Sequence, residues 1–538
     1  MASSLRQSKR QGLRVSLLDR FLVGIAPNWG MRRIRARASL GLFGRHYEAS
    51  STGRRTSNWF RSSSDANAAA APSLTTLREL SRDMRRNNPI ARRAVQAVVN
   101  NTIGSGIVPR VLDLDGDVAR AAWNIWEAWA ETPRCDYDGR LTFYGLQRLV
   151  METVVESGEA LVVRELADMR DGLPVPMRIR VLEPDYLDSL KEGELSNGNL
   201  VQQGIEFDGR GRRVAYWLFE RHPGSVRALG GGSVHLSASR RIPATDVLHV
   251  YQADRPGLAR GVPWLAPIIP RLKDLDDYED AVLNQQRVSA CFGVFVKDTN
   301  GEPLGEEDEA DPSIEELGPG HVNYLNPGED VSVISPPSTA NHAPYVQSQH
   351  RQIAAGLGIT YEDLANDYSM VNFSSARMGR LSSQRNVEEW RWNMIIPQLC
   401  DGVWRWLMEF TAAMLEWPTV PRAEWVAPPL PMLEPEKEGL AYTRLIRSGV
   451  MTLGQAIRER GGNLDAHLEE IADTNALLDL HKIWLDSDPR RTSAAGLTQE
   501  RPGGDVGGGG FGGGESDDEE RFATNTLDRR PRLSSRSG

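Results

Sequence analysis

Cysteine is scarce: Cys135, Cys291 and Cys400 are the only three in 538 residues. They lie far apart and are odd in number, so neither a disulfide framework nor a C-x-x-C zinc pair is present. Such usage points to a reducing, cytosolic origin. Lysine is nearly as rare, at Lys9, Lys191, Lys273, Lys297, Lys437 and Lys482. Arginine carries the remaining positive charge, an imbalance that codon bias explains as well as function does. No run of ~18 uncharged apolar residues exists, so no transmembrane helix is expected. Val15–Pro27 has the look of a short signal core, but Asp19 and Arg20 interrupt it, and it reads as a short amphipathic segment.

Catalytic signatures are missing too. The dipeptide Gly-Lys does not occur, which excludes a P-loop of the usual kind. H-E-x-x-H and G-x-S-x-G are absent. Gly230–Gly232 does not join a strand to a helix as a dinucleotide fold requires. One carboxylate cluster stands out: Asp274, Asp276, Asp277, Glu279 and Asp280. Asp276 and Asp280 share a helical face and could in principle hold a divalent ion. No His or second acidic element lies near them in sequence, so a solvated acidic face is the plainer reading. The expectation is a protein that is not an enzyme, with no catalytic residue, cofactor or metal.

What is present suggests a globular middle between two tails. The length predicts roughly three or four domains, and 40% apolar with 25% charged residues is ordinary for a folded protein. Residues 1–75 carry thirteen Arg and Lys against Asp19 and Glu48 in the first 61 positions. Such a segment buries too little apolar surface to offset its ordering entropy. It reads as a mobile basic arm: a solvated tail, or a contact to nucleic acid or an acidic partner. Residues 489–538 hold glycine runs and the acidic stretch Glu515–Glu520, and read as disordered. The net charge of −9 argues against a simple basic nucleic-acid coat.

Between the tails the pattern is α+β rather than regular βαβ alternation. Leu74–Val99 has helical periodicity, with Pro89 starting a second helix after Asn88. Val118–Glu131 follows, capped by Asp117, with Trp123, Trp126 and Trp129 as a core stripe. Leu141–Ser157 is a further helix. Ala160–Glu165, Arg178–Leu182, Gly204–Asp208, Val214–Glu220 and Ile242–Tyr251 read as strands. A lone strand histidine, His249, is expected to be structural. Leu265–Val288 is the longest clear helix and carries the acidic cluster. Residues 291–297 and 330–334 read as strands around an acidic loop, and Tyr345–Leu357 as a helix. Asp363–Ser374 is a polar loop. Ser375–Glu416 is a long helix that Pro397 should kink. Three short helices end the folded part.

Several motifs, in order, resemble one family: the portal proteins of lambda-like tailed bacteriophages. They are Asn88-Pro89-Ile90-Ala91-Arg92-Arg93, Asn100 with Gly104-Ser105-Gly106, Gly158-Glu159, and Leu182-Glu183-Pro184-Asp185. The longest block runs from His249 through Arg255-Pro256-Gly257 and Arg260-Gly261-Val262-Pro263-Trp264 to Leu275-Asp276-Asp277-Tyr278-Glu279-Asp280-Ala281. Asn372-Phe373-Ser374-Ser375-Ala376-Arg377 is similar to the family's Ser-Ser-x-Arg segment. The resemblance covers about 80–490.

The resemblance implies the phage portal fold, with long stem and tunnel helices, assembled as a ring of about twelve subunits at one capsid vertex. Double-stranded DNA would enter and leave through its channel. The ring would nucleate procapsid assembly with capsid and scaffold proteins, dock the terminase, and later receive head-completion and tail proteins. Its place would be the virion, and the host cytoplasm during assembly. Laid on this chain, residues 76–264 and 360–430 form the wing, and 265–290 and 345–359 the stem helices. Residues 291–344 form the clip and 431–488 the crown. Clip candidates for partner binding are Glu306, Glu307, Asp308, Glu309, Glu315 and Glu316. Tyr368, Met370, Asn372 and Phe373 would form a tunnel loop, with Arg377, Arg380 and Arg385 steering DNA. An acidic helix repeated around a ring would repel the duplex and favour sliding over adhesion. Subunit packing is the competing role for the loop, and pairing with Glu388 or Glu389 for the arginines. Two other classes stay open: a metal-dependent nuclease using Asp276 and Asp280, and a monomeric adaptor that binds DNA through the basic arm.

Overall fold

Asn88 and Pro89 show how local chemistry divides the first helical region. The Asn88 side chain accepts a hydrogen bond from Ala91 N at 2.8 Å, and Pro89 occupies the first helical turn, where no N–H is needed. One helix therefore ends and another begins. In the computed structural model, the described residues are 63–112, 116–225, 238–290, 294–298, 329–333, 341–429, 432, 434–462, 464–483, 485 and 490. The basic arm to residue 62, Cys291, the six acidic clip candidates and the acidic tail lie outside them, as does the Phe373 side chain.

In chain order the elements are α1 (Ala66–Ala70), α2 (Leu74–Asn87), α3 (Pro89–Thr102), β1 (Val108–Leu112), α4 (Gly116–Ala130) and α5 (Phe143–Ser157). Strands β2 (Glu159–Leu166), β3 (Met177–Leu182), β4 (Gly193–Glu194), β5 (Leu200–Gln202), β6 (Ile205–Phe207), β7 (Arg213–Leu218), β8 (Arg240–Pro243) and β9 (Val247–Tyr251) follow. Next come α6 (Ile269–Ala290), the hairpin β10 (Val294–Asp298) and β11 (Glu329–Val333), α7 (His342–Leu357), α8 (Tyr361–Ala365) and α9 (Phe373–Trp390). A π-helical stretch (Arg391–Cys400) joins α9 to α10 (Asp401–Leu415). Strand β12 (Arg422–Val426) and helices α11 (Pro435–Arg447), α12 (Leu453–Glu459) and α13 (Leu464–Leu480) complete the order. The chain divides into two compact units, the first running to Met451 with Glu459–Gly461, the second holding Thr452–Arg458 and the chain from Gly462. Among the described residues no helix is long and apolar enough to cross a membrane.

The main core joins α3, α4, α5, the π-helical stretch and α10. Trp126 sits at its centre, with ring centroids 5.1 Å from Phe143, 5.2 Å from Trp404 and 5.8 Å from both Trp129 and Trp425. Tilted and edge-on aromatic packing of this kind adds to area burial. Of the expected Trp stripe, Trp126 and Trp129 are fully buried, while Trp123 packs at the margin.

Sheet β3-β2-β9 is antiparallel and central. Strand β2 is buried without a break from Glu159 to Val163 because both its faces are covered. Ala160 and Val162 join the main core, whereas Leu161 and Val163 join a second cluster under the five-stranded sheet β4-β5-β6-β7-β8.

Several boundaries differ from the sequence expectation. The strand expected at Ile242–Tyr251 is two strands, β8 and β9, in different sheets, separated by a 3-10 turn at Ala244–Asp246. Helix α7 starts at His342 rather than Tyr345, and α6 at Ile269, with Pro270 in its first turn. Asp363 lies inside α8, not in a loop; Thr360 caps that helix through Asp363 N. Strand β12, within the Pro-rich stretch, pairs with β1 and was not expected. Pro397 is absorbed by the π-helical stretch: the wider turn spares the backbone a bond that proline cannot donate.

Candidate functional site

A buried charge lies at the start of β2. Glu159 has none of its surface exposed. Its Oε1 accepts from Arg78 Nη2 at 2.6 Å and Arg260 Nε at 2.8 Å; its Oε2 accepts from Gly261 N at 2.8 Å and faces His249 Nε2 at 2.8 Å. Arg260 also donates to the carbonyls of Gln203 and Pro184, and Arg78 to that of Ser157. Burial alone would raise the Glu159 carboxyl, but Arg260, Arg78 and His249 outweigh it and hold it well below the usual carboxylate range. Burial pushes the His249 imidazole down, against the pull of Glu159. A neutral ring donating from Nε2 to Glu159 fits that direction. Its Nδ1 has no partner among the described residues.

Glycine lets this clasp close. A Cβ on Gly261 would lie 2.1 Å from Gly158 O, and one on Gly158, at φ +90°, would lie 2.5 Å from Val262 C. The turn after α5 and the segment 260–264 therefore touch backbone to backbone, reinforced by Trp264 N donating to Val155 O at 3.1 Å. Gly158-Glu159, His249 and Arg260-Gly261, separate in sequence, are one structural device. His249 is structural, as expected.

A second site is an exposed surface. Asn366, in the left-handed region at φ +52°, ends α8 and is held by Arg93 Nη2 at 2.7 Å. Asp367 accepts from Ser369 Oγ at 2.6 Å and Tyr361 OH at 2.8 Å, bonds that keep its carboxyl low. With the base fixed, Tyr368 and Met370 stand 60% and 82% exposed. Asn372 is exposed; its side chain caps α9 through Ser375 N, and Ser375 Oγ accepts from Asn372 N.

Helix α9 has three faces. One, with Ala376, Arg380, Ser383 and Val387, lines a groove of about 420 Å³ beside α8. Another, with Asn386, Glu389 and Trp390, lines a cleft of about 350 Å³. The third presents Arg377, Leu381, Arg385 and Trp392 to solvent at helical spacing, and neither Arg377 nor Arg385 has an ion-pair partner among the described residues. Trp390, at the end of α9, and Trp404 and Trp406, on α10, are buried, whereas Trp392, in the π-helical stretch, is half exposed. Arg391 is buried and donates to Thr102 O at 2.6 Å and Asn101 O at 2.9 Å, placing a cation on the C-terminal carbonyls of α3.

On α6, Asp274, Asp277, Glu279 and Asp280 are exposed, with Asp277 bound to Lys273 at 2.6 Å. Asp276 is the exception: its Oδ1 accepts from Asn88 Nδ2 at 2.8 Å, tying the helix to α3. Among the described residues the one His/carboxylate group close enough for a metal is Glu183, Asp185 and His222. Arg82 already bridges its two carboxylates, and His222 Nδ1 accepts from Gly224 N at 3.0 Å, which puts the proton of the neutral ring on Nε2. A cation and a ring proton stand where ligands would be needed.

Exposed apolar side chains gathered on one helix and its leading loop mark an interaction surface. The class so defined is a subunit of an assembly. The chain belongs to the lambda family of phage portal proteins, whose family description, "Phage portal protein, lambda family", matches residues 52–391. It is 28% identical over 422 residues to the probable portal protein of Halomonas phage phiHAP-1, covering 74% of this chain and 79% of the relative. It is 23% identical over 478 residues to the portal protein of Escherichia phage N15, covering 78% and 87%. Among solved structures it is similar to a chain in the neck of the native gene transfer agent particle computed with C12 symmetry: 15% identity, TM-score 0.44, covering 76% of this chain and 99% of that one.

Proposed function

We propose that about twelve copies of this chain close a ring at one capsid vertex, through which double-stranded DNA is packaged and ejected. The observation that carries the reading is the family match over 52–391, which takes in the Glu159 clasp, the acidic helix α6 and the loop leading into α9. A ring built head to tail needs complementary surfaces on every copy. The uncovered stripe Arg377–Trp392 and the exposed Tyr368 and Met370 supply candidates for one of them.

In this reading α6 and α7 are stem helices, the segment between them is the clip, and the loop before α9 faces the channel. Exposed Asp274, Asp277, Glu279 and Asp280, repeated around the ring, repel phosphate and keep the duplex sliding. Arg377, Arg380 and Arg385 are the cations that steer it. The clip acids Glu306, Glu307, Asp308, Glu309, Glu315 and Glu316 meet the terminase and then the head-completion protein. Capsid and scaffold proteins meet the outer surface, and the chain resides in the virion after assembly in the host cytoplasm. The role is structural.

The test is native mass measurement together with electron-microscope imaging of the purified chain. A closed ring with a hole wide enough for a DNA duplex is expected. A monomer or dimer at high concentration, with no ring even beside capsid protein, would overturn the proposal.

A further inference from the structure

The cleft on the Trp390 face of α9 is acidic and aromatic. Asp254 and Glu389 stand at its wall, both exposed, and neither makes a hydrogen bond or ion pair among the described residues. Trp264, partly exposed, lies in its floor against Trp390, ring centroids 5.2 Å apart. Two carboxylates with no partner among the described residues, lining one cleft with an indole, make a setting for a guanidinium, which pairs with carboxylates and stacks on aromatic rings.

The described chain begins beside this cleft. Asn67 spans the loop that follows Asp254, donating to Gly257 O at 2.9 Å and accepting from Ala259 N at 2.7 Å. Arg255, the cation adjoining Asp254, is turned to Ser64 O at 3.4 Å. The residues before Ser63 include Arg61, Arg55 and Arg54. At about 3.6 Å per extended residue, their Cα atoms can lie up to roughly 7, 29 and 32 Å from that of Ser63.

We infer that the cleft of Asp254, Glu389 and Trp264 is the docking site for the chain's own basic arm, with an arginine of 54–61 seated between the carboxylates and on the indole. Charge complementarity supports this, and so does the tether. A segment joined a few residues away is presented at a high effective concentration that a free peptide would lack. The inference concerns a single chain and stands whether or not a ring forms. Its rival occupant is a second copy, through the Arg377–Arg385 stripe of α9.

The experiment is hydrogen exchange on the full-length chain, read at residues 50–62 and 386–390. Three variants are compared with the unchanged chain: Asp254→Asn with Glu389→Gln, Arg54→Ala with Arg55→Ala and Arg61→Ala, and Arg377→Ala with Arg385→Ala. All these side chains in the folded part are solvent-facing, so folding should be retained, which far-UV circular dichroism checks. The expected result is arm exchange about three- to tenfold faster in the carboxylate variant, and cleft exchange faster by a similar factor in the arm variant. Arm exchange unmoved by the carboxylate variant would overturn the inference. So would cleft exchange that responds to the α9 variant and not to the arm variant, which would assign the cleft to a second copy.

Discussion

Replacing Glu159 by Ala removes the carboxylate that is hydrogen-bonded to both Arg78 and Arg260. Both guanidinium groups are almost fully buried, with side chains 4% and 2% exposed. They and Gly261 N would lose their acceptor at a place water does not reach. Breaking a buried pair by deleting one partner costs about 3–5 kcal/mol, because a charge is left uncompensated. For a folding unit of roughly 400 residues, an unfolding entropy of ~2.1 cal/mol/K per residue converts this to a melting shift of about 4–6 °C downward. Differential scanning calorimetry reads the shift directly. Glu152→Ala is the control: its bridges to Arg85 and Arg148 are partly solvated, and about 1 kcal/mol is expected. If the two variants melted within about 1 °C of each other, the reasoning that burial makes the Glu159 clasp costly would be refuted. The same cluster sets a direction with pH. The folded His249 resists protonation, whereas the unfolded one takes a proton near the ordinary ~6.5; stability therefore falls as pH drops below that value. Glu159, held low in the fold, adds a second loss below the unfolded carboxylate value of ~4.3. His249→Gln should remove the first loss and leave the second.

Gly261→Ala puts a Cβ 2.1 Å from Gly158 O, where only backbone movement can relieve it, so urea unfolding should show a loss of about 3 kcal/mol. Gly439→Ala on α11 meets nothing within 4 Å, and should instead gain up to about 1 kcal/mol in helix propensity. Arg391→Met leaves the carbonyls of Asn101 and Thr102 without their donor, at an expected cost of about 2 kcal/mol, with faster hydrogen exchange at the start of the π-helical stretch.

Helices and family were legible in the chain because their signals are local or ordered. The Asn88-Pro89 junction, the periodicity of α3 and α5, and the helix expected from Ser375, which in the structure begins two residues earlier, each depend on neighbours within a few residues. The acidic face of α6 was legible too, save that one member, Asp276, is claimed by Asn88, 188 positions away. Strand assignments failed where the signal was ambiguous. Within Ile242–Tyr251, Pro243 and Asp246 were the local signals of the turn between β8 and β9, and nothing local says that the two strands belong to different sheets. At β12 the prolines around Arg422–Val426 masked a strand that lies outside their rings. The polar composition of 363–374 hid the short helix α8, whose cap at Thr360 was the available signal.

By itself, then, the sequence determined the helical segments, the absence of a P-loop, the two compositionally extreme tails and the portal resemblance. Tertiary structure alone decided what its charges do. Arg78, His249 and Arg260 meet Glu159 across 81, 90 and 101 positions, and Gly158 meets Gly261 backbone to backbone. Periodicity reports which side of one element avoids water; it carries no record of which distant element will cover that side. The partner of a buried charge is set by topology, and so is the difference between Asp276, which holds two helices together, and the exposed Asp280 one turn along the same helix.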